Sequence, residues 1–349
     1  MRAMLLRRAG PVPPDSAPLD WTMVATPVPA EDELLVRVSV CAVCRTDLDV
    51  VEGRVVAPHY PVIPGHQIVG RVAAVGGSVT GFRVGERVGI AWIHHACGTC
   101  RWCLTERENL CPWFESTGCD ANGGYAEFAT VPAAFAVHVP IALSDVAAAP
   151  LLCAGAIGWR SLRLANLRDG DPLGLTGFGA SAHVVLQLAR HLYPGSPVYV
   201  TARSEAERAF ARHLGAAWAG DSGDDPPDRM GAIIDTTPAW KPVVDALPRL
   251  LPGGRLVVNA IRKTAGDEVE LTRVDYATHL WMEREIQSVA NVTRQDVREM
   301  LAAAVDLELR PTVDEMPLDR ANEALARIKS ARDIRGATVL RVADSVPTG

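Results

Sequence analysis

The sequence predicts an α/β protein of two parts, an irregular β-rich domain and a doubly wound parallel-sheet domain, and three observations carry that expectation. At 349 residues with 48% hydrophobic and 22% charged content, the chain can bury a large core and is long enough for two domains. Its texture changes near residue 154. Before that point Gly and Pro break up short β-rich runs; after it, apolar strands alternate with helical segments. The tail departs again, with two helical stretches and a closing strand, and is expected to rejoin the first part. The resulting boundaries are 1–154 with 293–349 for the β-rich domain and 155–292 for the parallel-sheet domain.

In the first part, ELLVRVSV from Glu33, IVGRVAAVGG from Ile68 and FATVPAAFAVHVP from Phe128 read as strands of an irregular, largely antiparallel barrel. In the second, DPLGLTGFG is followed by the helical ASAHVVLQLARHL, and PVYVTAR by SEAERAFARHLG. GAIIDTT and RLVVNAI complete the series, the latter after a Pro-Gly-Gly turn. Alternation of this kind implies βαβ units and a sheet covered on both faces. In the tail, VTRQDVREMLAAAVDLEL and LDRANEALARIKSA read as helices and GATVLRV as a strand.

Charge and hydropathy narrow the function classes. The formal charge is −6, and no run of Lys and Arg offers a face for phosphate backbones or anionic lipid, so nucleic acid is excluded as a partner. The longest apolar stretch, AAAPLLCAGAIGW from Ala147, falls short of the ~20 residues a bilayer span requires. MRAMLLRRAG has too short an apolar run for an export signal, which leads us to expect a cytoplasmic protein. In that compartment its eight cysteines stay reduced and serve as ligands or core residues.

Four of them cluster in HACGTCRWCLTERENLC: Cys97, Cys100, Cys103 and Cys111. This CxxCxxC spacing with a nearby fourth Cys lets four thiolates converge on one tetrahedral zinc ion. Four thiolates close the coordination sphere, so the site staples a loop and activates nothing. Catalytic zinc would need a second, three-ligand set. Cys41, Cys44, Cys119, Cys153 and nine histidines are the candidates, and spacing alone does not choose among them.

The segment LTGFGASA places Gly177, Gly179 and Ala182 in GxGxxA spacing between an apolar strand and a helix. In that context the glycines form the tight turn that cradles a dinucleotide pyrophosphate at a helix N-terminus. An acidic residue about twenty positions on would accept hydrogen bonds from the ribose. Here that region reads Thr201, Arg203 and Ser204, a guanidinium and hydroxyls suited to a 2′-phosphate, and the expected cofactor is NADP in preference to NAD.

Several of these motifs come with CRTDLDVVEG from Cys44, PVIPGHQIVGRV from Pro61, GGYAEF from Gly123 and LLCAGAIGW from Leu151. Together they resemble, in order and over nearly the whole chain, the zinc-dependent alcohol dehydrogenases of the medium-chain dehydrogenase/reductase superfamily. The resemblance implies a GroES-like catalytic domain and a Rossmann cofactor domain. It implies two zinc ions per chain, the catalytic one held by Cys44, His66 and Cys153 with an open fourth position facing the nicotinamide in the interdomain cleft. It implies that Thr46 passes the substrate's proton toward solvent and that Arg335 reaches the cofactor phosphates. Trp92 falls at a bulky pocket position, while Cys41 and Cys119 match no ligand position.

Two departures from the family pattern stand out. Asp49 occupies the place of a relay histidine and is expected to take over that proton transfer. Gln67 replaces the acidic residue after the ligand His66, making the ion's surroundings less negative and favouring an ionised substrate oxygen. The expected activity is reversible oxidation of a small-molecule alcohol to an aldehyde or ketone by a homodimer or homotetramer. The rivals are a zinc-independent quinone or enone reductase of the same superfamily and a non-catalytic nucleotide-binding protein.

Overall fold

The structure, a computed structural model, describes residues 1–13, 16–330 and 336–342. The chain divides into two compact units, Met1–Ala156 with Asn291–Gly349, and Ile157–Ala290. Arg335 lies outside the described residues.

The first unit is organised on the long strand Glu33–Val43. Its alternate residues Leu34, Val36, Val38 and Val40 are buried, the period-two pattern of a strand with one face on a core. Gln67–Val75, Phe128–Pro132 and Ala337–Arg341 all pair antiparallel with it. Arg87–Ile90 and Ala136–His138 extend the sheet beyond Gln67–Val75, and Val313–Pro317 lies parallel to Ala337–Arg341 at the other edge. Register shifts at Leu35/Val36 and Val38/Val40 are bulges that bend the long strand.

One sequence expectation needs correcting here. FATVPAAFAVHVP is two strands, broken by a 3₁₀ turn at Ala133–Phe135, and its halves pair with different partners. Pro132 has no N–H to extend the ladder, so the break falls there. A hairpin of Arg2–Leu5 with Asp20–Met23 also went unread. The helices Arg294–Asp306 and Ala321–Ser330 belong to this unit, the first capped by a reciprocal Thr293–Asp296 box.

The second unit is a six-stranded, wholly parallel sheet in the order Trp218–Gly220, Val198–Thr201, Leu173–Thr176, Met230–Asp235, Leu250–Val258, Glu285–Ser288. Leu173–Thr176 comes first in sequence yet lies third in the sheet. The chain builds outward on one side of it and then returns to its other side. Such a reversal is where open α/β sheets place ligands, at the carboxyl ends of the strands. Helices Ala182–Leu192, Glu205–His213 and Lys241–Ala246 connect the strands.

Buried polar groups knit those ends together. Thr176 and Thr237 hydroxyls donate to Asp235 Oδ1 at 2.6 and 2.8 Å, and Lys263 Nζ pairs with Asp235 Oδ2 at 2.5 Å. Pro252-Gly253-Gly254 is a bulge inside Leu250–Val258, where the register jumps and Gly253 takes φ +71°, rather than a turn before it. Among the described residues, no helix is long and apolar enough to cross a membrane.

Candidate metal centres and cofactor site

Two groups of potential metal ligands converge in the first unit. Cys97, Cys100, Cys103 and Cys111 form one, and Cys44, His66 and Cys153 the other, the donor atoms of each lying within 4.8 Å of one another. In the first group the Cys97–Cys103, Cys100–Cys103 and Cys97–Cys111 sulfur separations are 3.9, 3.6 and 3.6 Å. Four thiolates around zinc, each at ~2.3 Å, would stand about 3.8 Å apart, so the lobe fits the ion. Its sulfurs also accept backbone N–H groups, from Cys100 to Cys97 at 3.3 Å and from Cys97 and Trp113 to Cys111 at 3.4 Å. Such bonds, the one at Thr99 foremost, draw the Cys97 thiol down to about 6, while burial and the neighbouring Cys100 push Cys103 up to about 12.

The three-donor group is assembled from separated elements. Cys44 caps the short helix Arg45–Val51, with its Sγ accepting from Thr46 N at 3.3 Å. The same turn brings Asp47 back, so that its Oδ2 accepts from Cys44 N at 2.8 Å. His66 follows Gly65, which sits at φ +96° against the ring of buried Tyr125; a Cβ there would lie 2.3 Å from that ring. Only glycine fits, and the close approach aims the next residue inward. Cys153 ends the 3₁₀ turn Ala149–Leu152 in a non-helical conformation.

Within this group His66 Nε2 stands 3.3 Å from Cys44 Sγ, and Nδ1 is 2.9 Å from Asp47 Oδ1. Both His66 and Asp47 are buried. Donation from Nδ1–H to the carboxylate leaves the Nε2 lone pair facing the sulfurs, the tautomer a metal ligand requires. The electrostatics favour a cation at that point. Burial alone would lower His66, yet Asp47 and Cys44 more than reverse this and lift it to about 10. The Cys44 thiol is pushed well above its ordinary value, first by its hydrogen bond with Cys153 and then by burial. A proton is the smallest cation able to relieve this cluster; a metal ion shared by both sulfurs and the imidazole relieves all three donors at once.

Asp47 is the residue sequence reasoning missed. Its signal was present, since Cys44-x-x-Asp47 has the spacing of a capping box. Thr46 is half-buried beside Cys44. Asp49 is buried with its Oδ1 held by Arg54 at 2.5 and 2.6 Å, so this carboxylate is committed to an ion pair. Gln67 is buried, and neither polar atom of its side chain has a hydrogen-bond partner among the described residues. The rings of Trp92 and His66 meet nearly at right angles, centroids 5.0 Å apart at 80°. Cys41 and Cys119 are buried outside both ligand groups, and burial raises both thiols.

In the second unit, Gly177 follows the strand Leu173–Thr176 at φ +79°, and its N–H donates to Thr201 O at 2.8 Å. A Cβ there would meet Thr236 Oγ1 at 2.9 Å, whereas Gly179 has open space. Ala182 is buried at the first position of the helix that follows. Thr201, where a ribose-binding acid would stand, ends the neighbouring strand, and a small, buried Ala202 comes next. Arg203 is exposed; Ser204 is the N-cap of Glu205–His213, its hydroxyl already bonded to Glu207.

Comparison with known proteins agrees with this geometry. The family model described as "Alcohol dehydrogenase GroES-like domain" matches residues 30–141. The chain is 45% identical over 347 residues to the "Probable alcohol dehydrogenase AdhA" of Mycobacterium tuberculosis, covering 98% of this chain and 97% of that one. It belongs to the alcohol dehydrogenases of the medium-chain dehydrogenase/reductase superfamily. An alcohol dehydrogenase of Geobacillus stearothermophilus is 33% identical, with 93% and 96% coverage. Among solved structures, a cobalt- and zinc-bound thermostable alcohol dehydrogenase from Pyrobaculum aerophilum superimposes with TM-score 0.86 at 26% identity, over 98% and 99% of the two chains. This family member is an oxidoreductase.

Proposed function

We propose that the protein interconverts alcohols with aldehydes or ketones using NADP(H), at a zinc ion held by Cys44, His66 and Cys153, with a second, structural zinc held by Cys97, Cys100, Cys103 and Cys111. The observation that carries this reading is the contrast between the two ligand groups. One has four sulfurs, enough to close the coordination of a zinc ion; the other has three donors, and a zinc ion held there would keep a position for substrate oxygen. Lewis-acid activation of that oxygen and hydride exchange are what zinc and nicotinamide supply when bound there.

The chain's own residues do the rest. Asp47 fixes the tautomer and orientation of His66, and the helix start at Thr46 directs an N–H at Cys44 Sγ. The Thr46 hydroxyl would take the proton that leaves the substrate, and Asp49 with Arg54 is the proposed terminus of that relay. Trp92 walls the site beside His66. Gly177, Gly179 and the helix starting at Ala182 cradle the pyrophosphate. Arg203, with Thr201 and Ser204 beside it, answers a 2′-phosphate.

Two points of context belong to the same proposal. The edge strand Glu285–Ser288 and exposed Trp281, Met282 and Ile286 suit self-association into a homodimer or homotetramer. A cytoplasmic location fits the set of reduced cysteines.

An alcohol and aldehyde panel, followed by nicotinamide absorbance with NADPH and NADH in parallel, tests the reading together with metal analysis. Turnover with two zinc ions per chain supports it. One zinc with enone reduction favours the zinc-independent reductase, and silence on every substrate favours a nucleotide-binding protein. A preference for NADH above about tenfold, ~1.4 kcal/mol, overturns the cofactor assignment.

A further inference from the structure

The indole that faces His66 is held from behind by a residue far away in sequence. Trp92 Nε1 donates to Asn291 Oδ1 at 3.0 Å. The same amide uses its Nδ2 to donate to the carbonyl of Asn109 at 3.1 Å. Asn109 lies in the 3₁₀ turn Glu108–Leu110, immediately before the lobe ligand Cys111. A second tie runs alongside, where buried Glu108 accepts from both Arg294 N and Arg294 Nε at 3.1 Å. Asn291 itself sits at φ +51°, a left-handed conformation that Asn, Asp and Gly tolerate better than other residues. One planar amide, fixed in rotation by an acceptor on one side and a donor on the other, therefore spans from the four-cysteine lobe to the edge of the indole.

We propose that Asn291 is a specificity-determining positioning residue, which locks the Trp92 indole beside His66 through its amide oxygen and braces the four-cysteine lobe through its amide nitrogen. The proposal rests on reading Cys44, His66 and Cys153 as the substrate centre. Trp92 lies against a ligand of that centre, so a freed indole changes which substrates fit while leaving the ligands and the hydride chemistry in place.

The two atoms of the amide can be separated by substitution in the zinc-loaded full-length protein. Asn291→Gly keeps the backbone conformation and removes both bonds. Asn291→Asp keeps an acceptor for the indole but sets a carboxylate oxygen against the Asn109 carbonyl, which breaks only the lobe tie. We expect Asn291→Gly to lower the ratio of kcat/KM for a small primary alcohol over a branched secondary one by about tenfold, ~1.4 kcal/mol, the change falling on the branched alcohol while kcat and KM for the small one stay within about twofold of the parent. Asn291→Asp should hold that ratio within about threefold of the parent, while both variants surrender lobe zinc to a chromophoric chelator faster than the parent.

Trp92→Phe, which keeps an aromatic wall without the N–H, should reproduce the altered selectivity of Asn291→Gly and serves if the latter fails to fold. The idea is overturned if Asn291→Gly or Trp92→Phe discriminates as the parent does, if Asn291→Asp loses selectivity as fully as Asn291→Gly, or if lobe zinc leaves all forms at one rate. Emission of Trp92, taken as the difference from the Trp92→Phe protein, gives a readout free of turnover. A red shift in Asn291→Gly and none in Asn291→Asp supports the clamp even if no alcohol is oxidised, and identical emission in all forms refutes it.

Discussion

Replacing Asp47 by Asn tests whether the carboxylate behind His66 governs the three-donor site. The parent carboxylate does two things at once, accepting from His66 Nδ1 at 2.9 Å through Oδ1 and from Cys44 N at 2.8 Å through Oδ2. An amide is able to satisfy only one of these. If its oxygen keeps the bond to Cys44 N, its NH₂ faces Nδ1 and drives the imidazole proton onto Nε2, the atom that must carry the lone pair for a metal. If it turns over, two donors confront each other at Cys44, and a buried N–H without an acceptor costs about 1–3 kcal/mol. The loss of charge acts in the same direction, since Asp47 is a principal force lifting His66 to about 10.

Loss of an outer-sphere carboxylate of this kind lowers metal affinity by about 10–100-fold, or ~1.4–2.7 kcal/mol. Competition against a chelator of known affinity measures it, and the four-cysteine lobe serves as internal reference because Asp47 is not among its ligands. The expected result is one tightly held and one weakly held ion per chain. An Asp47→Asn protein that retains both ions with affinities within about threefold of the parent would refute the reasoning.

Three other outcomes follow from the same structure. Gly65→Ala forces a Cβ to 2.3 Å from the Tyr125 ring at φ +96°; strain and overpacking together should cost about 2–5 kcal/mol, and an unchanged denaturation midpoint would remove Gly65 from the account. His183 is buried and held down to about 4 by burial, below its ordinary 6.5. The unfolded chain therefore takes up its proton first, and stability is lost as pH falls from about 6.5 toward 4, by up to about 3 kcal/mol. Urea titrations should show His183→Gln losing less stability than the parent across that window, and parallel pH curves would contradict this. Arg203→Ala should raise KM for NADPH by about 10–100-fold with little change for NADH, as expected for a charge-assisted bond to phosphate; equal effects on both cofactors would return Arg203 to a solvated surface charge.

Local chemistry was legible in the sequence and distant assembly was not. The four-cysteine lobe closes within fifteen residues, so CxxCxxC spacing alone implied it, and the strand-turn-helix around Gly177 was read in the same way. Cys44, His66 and Cys153 come from a helix cap, a strand entry and the end of a 3₁₀ turn, and only family resemblance singled them out. Asp47 could have been found from the capping-box spacing, because the same turn that satisfies Cys44 N carries the carboxylate to His66. Asn291 left no such trace, since its role depends on a left-handed backbone and two partners more than 180 residues away. The strand Glu285–Ser288 is largely exposed at the sheet edge and carries no apolar alternation to announce it.

The two candidate ligand groups differ in charge as well as in number, which is what the two proposed roles require. Four thiolates around a divalent ion leave a formal charge of about −2, which repels an anionic oxygen and discourages any fifth ligand. Two thiolates and a neutral imidazole leave about zero, so an alkoxide can approach without net repulsion from the ligands. Asp47 adds a negative charge, but it lies on the far side of the imidazole, hydrogen-bonded to Nδ1, and acts through the ring. Gln67, buried next to His66 where a carboxylate would add a second negative charge, adds none. With a metal ion held as proposed, the Asp47 carboxylate would strengthen His66 as a ligand while the uncharged Gln67 amide stands at the neighbouring position, an arrangement that would favour the ionised form of a substrate oxygen over its protonated form.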